Sequence, residues 1–131
     1  MLGPHSFCFL NREHTLPATG GWSDSRLGKL WLYNLHYFDD LNAHKAANRT
    51  EWHKRLIERW QFENAPFTGA GWEPYPTSLR IVNWVKWALR GFCINVALRT
   101  RSSDDAVFSQ SLALQARWLS RRLEYHLLGN H

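Results

Sequence analysis

Apolar residues recur at helical spacing along most of the chain after residue 29. The segment 30–38 is so rich in large apolar side chains that we expect it to be buried, as helix or strand, and residues 39–48 to continue as helix. Over residues 50–64 one helix face carries an apolar stripe, and Thr50 is the predicted N-cap. The stripe consists of Trp52, Leu56, Ile57 and Trp60.

A third helix is predicted over residues 77–98, after a flexible loop at 68–71 and an extended stretch at 72–76 that contains two prolines. Its apolar positions step by three or four residues and define one face. This face comprises Leu79, Val82, Val85, Leu89, Phe92 and Val96, and the opposite face carries Arg80, Trp84 and Trp87. We therefore expect the first face to lie in the core and the second to border a cleft.

A fourth helix is predicted to begin at Ser103 as cap and to hold Asp104 and Asp105 in its first turn, where the helix dipole favours them. It reaches residue 128, and Gly129 is a typical C′ residue. Its stripe comprises Leu112, Ala116, Leu119, Leu123 and Leu127. The four helices predict a mostly α domain at residues 30–131 made of antiparallel pairs. Residues 1–29, an apolar run followed by loop-forming Pro and Gly, predict an extended arm and loop.

Aromatic content sets this chain apart from an ordinary helical domain. Eight Trp, seven Phe and four Tyr make up 15% of the residues, and such rings both fill cores and stack on sugars or bases. The formal net charge of +5 favours a polyanionic partner, although it is also ordinary for a solvated surface. The basic residues are scattered along the chain, so we expect no nucleic acid partner.

Several function classes lack their sequence patterns. The seven His residues form no i, i+4 pair, so we predict no metal site. The chain has no glycine-rich phosphate-binding motif, so we predict no cofactor. It also lacks the nucleophile elbow of a Ser-His-Asp hydrolase. Cys8 and Cys93 are too few for a disulfide framework. No apolar stretch approaches the length of a membrane span, and the first residues do not resemble a secretory signal, so the compartment stays open.

Two clusters carry candidate chemistry. The segment 71–84 combines Trp72 and Tyr75 with Arg80, Asn83 and Trp84 on one helix, a set that could stack on a sugar, pair with its carboxylate and hydrogen-bond its hydroxyls. Residue types alone favour the plainer alternative, in which the rings fill a core and Arg80 pairs with a carboxylate such as Glu73. The second cluster is the segment 124–131, whose amide and imidazole could face a cleft or simply cap the helix.

Four strings in order resemble the heparinase II/III-like polysaccharide lyases. They are FLN at 9–11, LWLYNLHYFD at 30–39, the segment 72–84 and EYHLLGNH at 124–131. The resemblance implies the amino-terminal part of a partial (α/α) toroid, in which antiparallel helix pairs surround a cleft for acidic polysaccharide. It also implies β-elimination beside a uronic acid carboxylate, and a periplasmic or extracellular location.

The resemblance implies roles for individual residues. Asn130, with His131 beside it, would neutralise the uronate carboxylate so that the C5 proton can be removed. The substrate-binding residues would be Tyr37, Trp72, Tyr75, Arg80, Asn83 and Trp84. In such lyases a Tyr and a His further along the chain act as base and acid. Because the sequence ends at His131, we expect a fragment that produces no elimination by itself.

A non-catalytic module that binds acidic glycan through Trp72, Tyr75 and Arg80 is the alternative function. It shares the acidic polysaccharide partner with the lyase and needs no base or acid. A partial toroid would also expose apolar helix faces, which predicts self-association.

Overall fold

The computed structural model describes residues 1–98 and 103–129, with the side chains of residues 1–91 and 103–123. This part of the chain is mostly helical, as predicted, and contains one small antiparallel sheet. The elements are β1 (Ser6–Phe9), β2 (Arg12–Thr15), α1 (Lys29–Tyr37), α2 (Thr50–Glu63), α3 (Pro74–Leu98) and α4 (Ser103–Gly129). The finer prediction of a toroid remains a prediction.

The first 29 residues add a hairpin and part of the core. β1 and β2 are joined by Leu10 and Asn11, whose φ values of 53° and 59° are those of a type I′ turn, which matches the twist of the strands. Phe7 of β1 is buried, as are Leu16 and Trp22 of the following loop. The predicted arm therefore packs into the same core as the helices.

The helix expected to continue through residue 48 ends at Tyr37. Phe38 adopts a left-handed conformation (φ 61°), and two 3-10 turns follow, at Asp39–Asn42 and Ala46–Arg49. Phe38 is buried, and its ring lies 5.4 Å from that of Trp84, centroid to centroid. This contact favours the turn over a longer helix, so the predicted continuation was wrong.

Polar contacts fix the loop that leads to α2. The Asp40 carboxylate accepts hydrogen bonds from Arg49 Nε at 2.8 Å and from His53 Nε2 at 2.7 Å. Partial burial alone would raise the pKa of Asp40, but these bonds and a third from the Met1 ammonium outweigh it and lower the pKa to about 2. Thr50 does not cap α2, because its hydroxyl donates to the Ala47 carbonyl at 2.9 Å. The predicted cap was therefore wrong.

Helix α3 begins at Pro74, three residues earlier than predicted, since proline suits the first helical turn. Its predicted faces were reversed. Val82, Val85 and Leu89 are 48%, 37% and 60% exposed, whereas Arg80 and Trp84 are fully buried. The side chains of Phe92 and Val96, assigned to the same stripe, lie outside the described residues.

Helix α4 begins at Ser103 with Asp104 and Asp105 in its first turn, as predicted. Its inward face differs from the predicted stripe, because Gln115 is fully buried while Ala116 and Leu123 are exposed. The apolar residues of α4 that pack on the core are Phe108, Leu112, Leu114 and Trp118. Leu127 lies outside the described side chains.

Trp60 of α2 lies at the centre of the core. Its indole ring is 5.7 Å from that of Trp72 and 5.5 Å from that of Trp84, centroid to centroid. The predicted stripe of α2 is confirmed at Leu56, Ile57 and Trp60, which are buried, while Trp52 is half-buried. The core thus joins α2 to Trp72, which precedes α3, and to Trp84, which lies within α3.

Candidate functional site

The predicted substrate-binding residues fall into a buried and an accessible group. Arg80 and Trp84 are fully buried, and Trp72 and Tyr37 are 4% and 7% exposed. Tyr75 is 60% exposed, and Asn83 is half-buried. The predicted catalytic residues Asn130 and His131 lie outside the described residues. Within the described part, Tyr75 and Asn83 are therefore the accessible members of the predicted set.

Arg80 is held by the protein itself. Its Nε donates to Gln115 Oε1 at 2.7 Å, and one terminal nitrogen donates to the Gly71 carbonyl at 2.7 Å and the His36 carbonyl at 3.4 Å. The other terminal nitrogen donates to Thr77 Oγ1 at 3.3 Å. Burial lowers the pKa of the guanidinium to about 9, so Arg80 remains charged at neutral pH. These contacts direct the guanidinium into the core and away from any ligand at the surface.

Arg80 does not pair with Glu73, the carboxylate considered in the plainer interpretation. No described ion pair includes Arg80. Neutral oxygen acceptors take its place, together with the face of the Trp60 ring. Of the rings that this interpretation placed in the core, Trp72 and Trp84 are buried there, whereas Tyr75 is 60% exposed.

His36 is a second buried polar group that links the segments. The Trp60 indole N–H donates to His36 Nδ1 at 2.9 Å, so this nitrogen must be unprotonated. The Nε2–H then donates to the Trp22 carbonyl at 2.9 Å. Burial, assisted by the positive charge of Arg80, lowers the pKa of His36 to about 4. His36 is thus a neutral, structural imidazole at neutral pH.

Gly71 allows His36 and Arg80 to approach the same backbone segment. A β-carbon at residue 71 would overlap the His36 ring, and the Gly71 carbonyl accepts from both Arg80 and the Thr77 hydroxyl. Packing therefore requires glycine at position 71.

Three tyrosine rings meet where α1 lies against the start of α3. The centroid of Tyr75 lies 6.4 Å from that of Tyr33 and 5.8 Å from that of Tyr37, and the latter two are 6.4 Å apart. Tyr75 is the most exposed of the three. We call Tyr33, Tyr37 and Tyr75 the tyrosine surface. Tyr33 was not singled out from the sequence, although its i, i+4 spacing from Tyr37 on one helix could have indicated it.

Charged groups border the tyrosine surface. Lys29 Nζ lies 3.1 Å from Glu73 Oε2, and the Tyr33 hydroxyl donates to the same carboxylate. Partial burial would raise the pKa of Glu73, but the bonds from Tyr33 and Lys29 outweigh it and lower the pKa. Partial burial and the bond to Glu73 raise the pKa of Tyr33. The edge of the surface thus carries a protonated phenol, a carboxylate and an ammonium group.

Asn83 joins the tyrosine surface to the turn after α1. Its Nδ2 donates to the Tyr37 carbonyl at 2.9 Å and to Asp39 Oδ1 at 2.8 Å, while its Oδ1 accepts from Asn42 Nδ2 at 2.9 Å. The amide therefore holds the backbone that presents Tyr37.

Glu73 also lines a cleft of about 190 Å³. Its lining residues are Phe67, Gly69, Trp72, Glu73, Pro74, Trp118 and Arg122. The sequence interpretation included only Trp72 of this set among the substrate-binding residues. The i, i+4 spacing of Trp118 and Arg122 on α4 was available in the sequence, but the approach of the 66–74 loop was not.

Among the described side chains, those of residues 1–91 and 103–123, no group of three His, Cys, Asp or Glu is placed to hold a metal ion. None of the helices in residues 1–98 and 103–129 is both long and apolar enough to cross a bilayer.

Comparison with protein-family models, with curated proteins and with solved structures found no match to this chain.

Proposed function

We propose that this chain forms part of the substrate groove of a lyase that cleaves uronate-containing acidic polysaccharide by β-elimination. The observation that carries the proposal is the position of the tyrosine surface. Tyr33 and Tyr37 belong to the string at 30–39 and Tyr75 to the segment 72–84, two of the four strings that resemble the heparinase II/III-like lyases. These two segments pack together and leave Tyr75 exposed beside Glu73 and Lys29.

The tyrosine surface has the chemistry that a sugar chain needs. The exposed ring of Tyr75 offers a flat apolar face for the C–H groups of a pyranose ring. Glu73 can accept hydrogen bonds from sugar hydroxyls, and the Lys29 ammonium can pair with a uronate carboxylate.

Arg80, Trp72 and Trp84 take a positioning role in this proposal. Their burial removes them from direct contact with a glycan at the tyrosine surface. Arg80 instead fixes the Gly71 carbonyl and the end of α1, and so holds the two tyrosine-bearing segments together. This revises the predicted direct contact of Arg80 with the substrate carboxylate.

The elimination step follows from the acidity of the uronate C5 proton. Its removal adds negative charge beside a carboxylate, so that carboxylate must be neutralised by hydrogen bonding. The proposal assigns this task to Asn130, whose amide can donate without transferring a proton, with His131 as its neighbour. Departure of the C4 oxygen then leaves a double bond between C4 and C5, while the C5 proton passes to a base and a proton is delivered to the leaving oxygen.

Binding calorimetry with alginate, heparan sulfate and polygalacturonate tests the proposal. We expect one of these polymers to bind and its carboxyl-reduced form to bind less tightly. Tyr75→Ala should weaken binding about tenfold, since a stacked ring is typically worth about 1 kcal/mol or more. Phe62→Ala is the matched control, because Phe62 is 92% exposed and lies on α2 away from the tyrosine surface. Equal affinities of the two variants, or no binding by any polymer, would contradict the proposal.

A non-catalytic glycan-binding module is the second candidate. It is favoured by the same exposed Tyr75, because binding at the tyrosine surface needs neither Asn130 nor His131. Calorimetry of Asn130→Ala with the bound polymer separates the two functions. In the lyase groove Asn130 would hydrogen-bond the uronate carboxylate, so we expect this variant to bind about tenfold more weakly, although the chain by itself should form no unsaturated uronate. An unchanged affinity of Asn130→Ala supports the module.

A further inference from the structure

We infer that the cleft between the 66–74 loop and α4 binds one carboxylated sugar unit through Phe67, Trp118 and Arg122. The inference rests on the proposed function and adds a second contact region to the tyrosine surface. Glu73 connects the two, because it lines the cleft and also binds Tyr33 and Lys29 of the neighbouring region. A chain of sugar units that crosses Glu73 would contact both.

The aromatic part of the cleft is rigidly held. The Trp118 indole N–H donates to the Trp72 carbonyl at 2.9 Å, and this bond holds the Trp118 ring against the 66–74 loop. Phe67 lies 4.7 Å from Trp118 and 5.3 Å from Trp72, centroid to centroid, and remains 50% exposed. A half-exposed ring supported by two buried or half-buried rings offers a sugar a preformed apolar face.

Arg122 supplies the charge. Its guanidinium carbon lies 4.3 Å from the centre of the Trp118 ring. Within the described residues the guanidinium makes this ring contact and no hydrogen bond, so its N–H donors remain for a ligand. No described ion pair includes Arg122. A planar cation held in this way matches the two oxygens of a carboxylate.

The cleft also discriminates in favour of a sugar over a simple anion. Glu73 is ionised at its rim and repels small anions, but it can accept hydrogen bonds from sugar hydroxyls. Apolar contact at Phe67, the cation of Arg122 and the acceptor of Glu73 together match the C–H face, the carboxylate and the hydroxyls of a uronate.

Two adjacent arginines provide a matched test. Arg121 and Arg122 are both exposed on α4, so Arg121→Ala and Arg122→Ala change the net charge equally. With the polyuronate that binds most tightly among alginate, heparan sulfate and polygalacturonate, we expect Arg122→Ala to weaken affinity about tenfold and Arg121→Ala to change it less than twofold. Arg122→Lys should restore only part of the loss, because lysine lacks the planar fork. Circular dichroism of the variants verifies that each is folded.

A direct readout of the cleft uses the nuclear magnetic resonance signal of the Trp118 indole N–H, assigned through Trp118→Phe. Sodium glucuronate should shift this signal saturably in the parent protein and in Arg121→Ala, and not in Arg122→Ala. An unshifted Trp118 signal together with equal affinities of the two arginine variants would overturn the inference, while a loss of binding in Tyr75→Ala would still support the proposed function. An equal shift by methyl glucoside, which has no carboxylate, would overturn the assignment to a carboxylated sugar. Absence of binding by every uronate polymer would overturn both.

Discussion

The guanidinium carbon of Arg80 lies 3.9 Å from the centre of the Trp60 indole ring, in the middle of the core. A buried arginine is normally expected beside a carboxylate, and here an aromatic face and neutral oxygen acceptors replace it. The relationship explains why the guanidinium keeps its charge while fully buried. It also determines what a substitution at this position should do.

Replacement of Arg80 by methionine should lower the free energy of unfolding by about 3 kcal/mol. The variant leaves Gln115 Oε1 without its donor in the core and removes the shorter of the two hydrogen bonds to the Gly71 carbonyl, and such losses typically cost about 1–3 kcal/mol each. Urea denaturation measures the change. Arg117→Met is the control, since Arg117 is exposed on α4. A stable Arg80→Met protein that has lost only glycan binding would restore the direct contact predicted from the sequence.

Substitution of Gly71 by alanine should lower the unfolding free energy by about 2 kcal/mol, because the new β-carbon would overlap the His36 ring in a packed core. Gly91→Ala provides the comparison. A β-carbon at residue 91 meets no atom of the described residues within 4 Å, so this variant of α3 should be neutral or slightly stabilised by its higher helix propensity. Thermal unfolding of both proteins tests the difference, and equal midpoints would refute the assigned packing role.

Acid should destabilise the protein through His36. Its pKa falls from 6.5 to about 4 on folding, so the unfolded chain takes up the proton first. The stabilisation is present above pH 6.5 and is lost as the pH falls towards 4, by about 3 kcal/mol in total, since one pKa unit corresponds to about 1.4 kcal/mol.

Denaturation curves measured across this pH range test the linkage. His36→Gln should flatten the dependence, because an amide offers a donor and an acceptor without titrating. His44→Gln, at an exposed position, should leave it unchanged. His53, whose pKa is also lowered by burial against the opposing effect of Asp40, contributes a further part that remains in both variants. An identical pH profile for His36→Gln and the parent would contradict the assignment.

The exposed apolar face of α3 should cause self-association. Val82, Val85 and Leu89 lie at i, i+3 and i+7 and are all exposed, so they form one stripe. Sedimentation velocity at increasing concentration should detect oligomers that Leu89→Glu reduces. Leu30→Glu removes an equally exposed leucine from α1 and should have little effect. A parent protein that stays monomeric at high concentration would count against the predicted interface.

Local pattern predicted α2, α3 and α4 to within a few residues, but neither the end of α1 nor the orientation of α3. Periodicity distinguishes the two faces of this helix, yet the assignment placed the face with Arg80, Trp84 and Trp87 at the border of a cleft and the other face in the core. The structure buries Arg80 because segments distant in sequence, at Gly71 and Gln115, supply acceptors for it. These acceptors meet only in the tertiary structure, and the periodicity of the sequence does not indicate which residues will contact Arg80.

The residues of the candidate site were also predicted only in part. Tyr75 and Asn83 were identified from residue type and spacing, and both are accessible or half-buried in the structure. Phe67 and Arg122 were missed, because the cleft forms only when the 66–74 loop packs on Trp118. A contact between a loop and a helix about fifty residues later has no periodic signature.

Helix α4 supplies Gln115 to the Arg80 guanidinium and Trp118 to the Trp72 carbonyl. If α4 detaches, the buried Arg80 guanidinium loses Gln115, its closest side-chain acceptor. The free-energy cost of that loss opposes the detachment of α4. The amide protons of α4 near Gln115 should consequently exchange with solvent as slowly as those of α2 around Trp60. The Arg80 guanidinium thus couples the stability of α4 to that of the end of α1 and of the Gly71 segment, which it also binds.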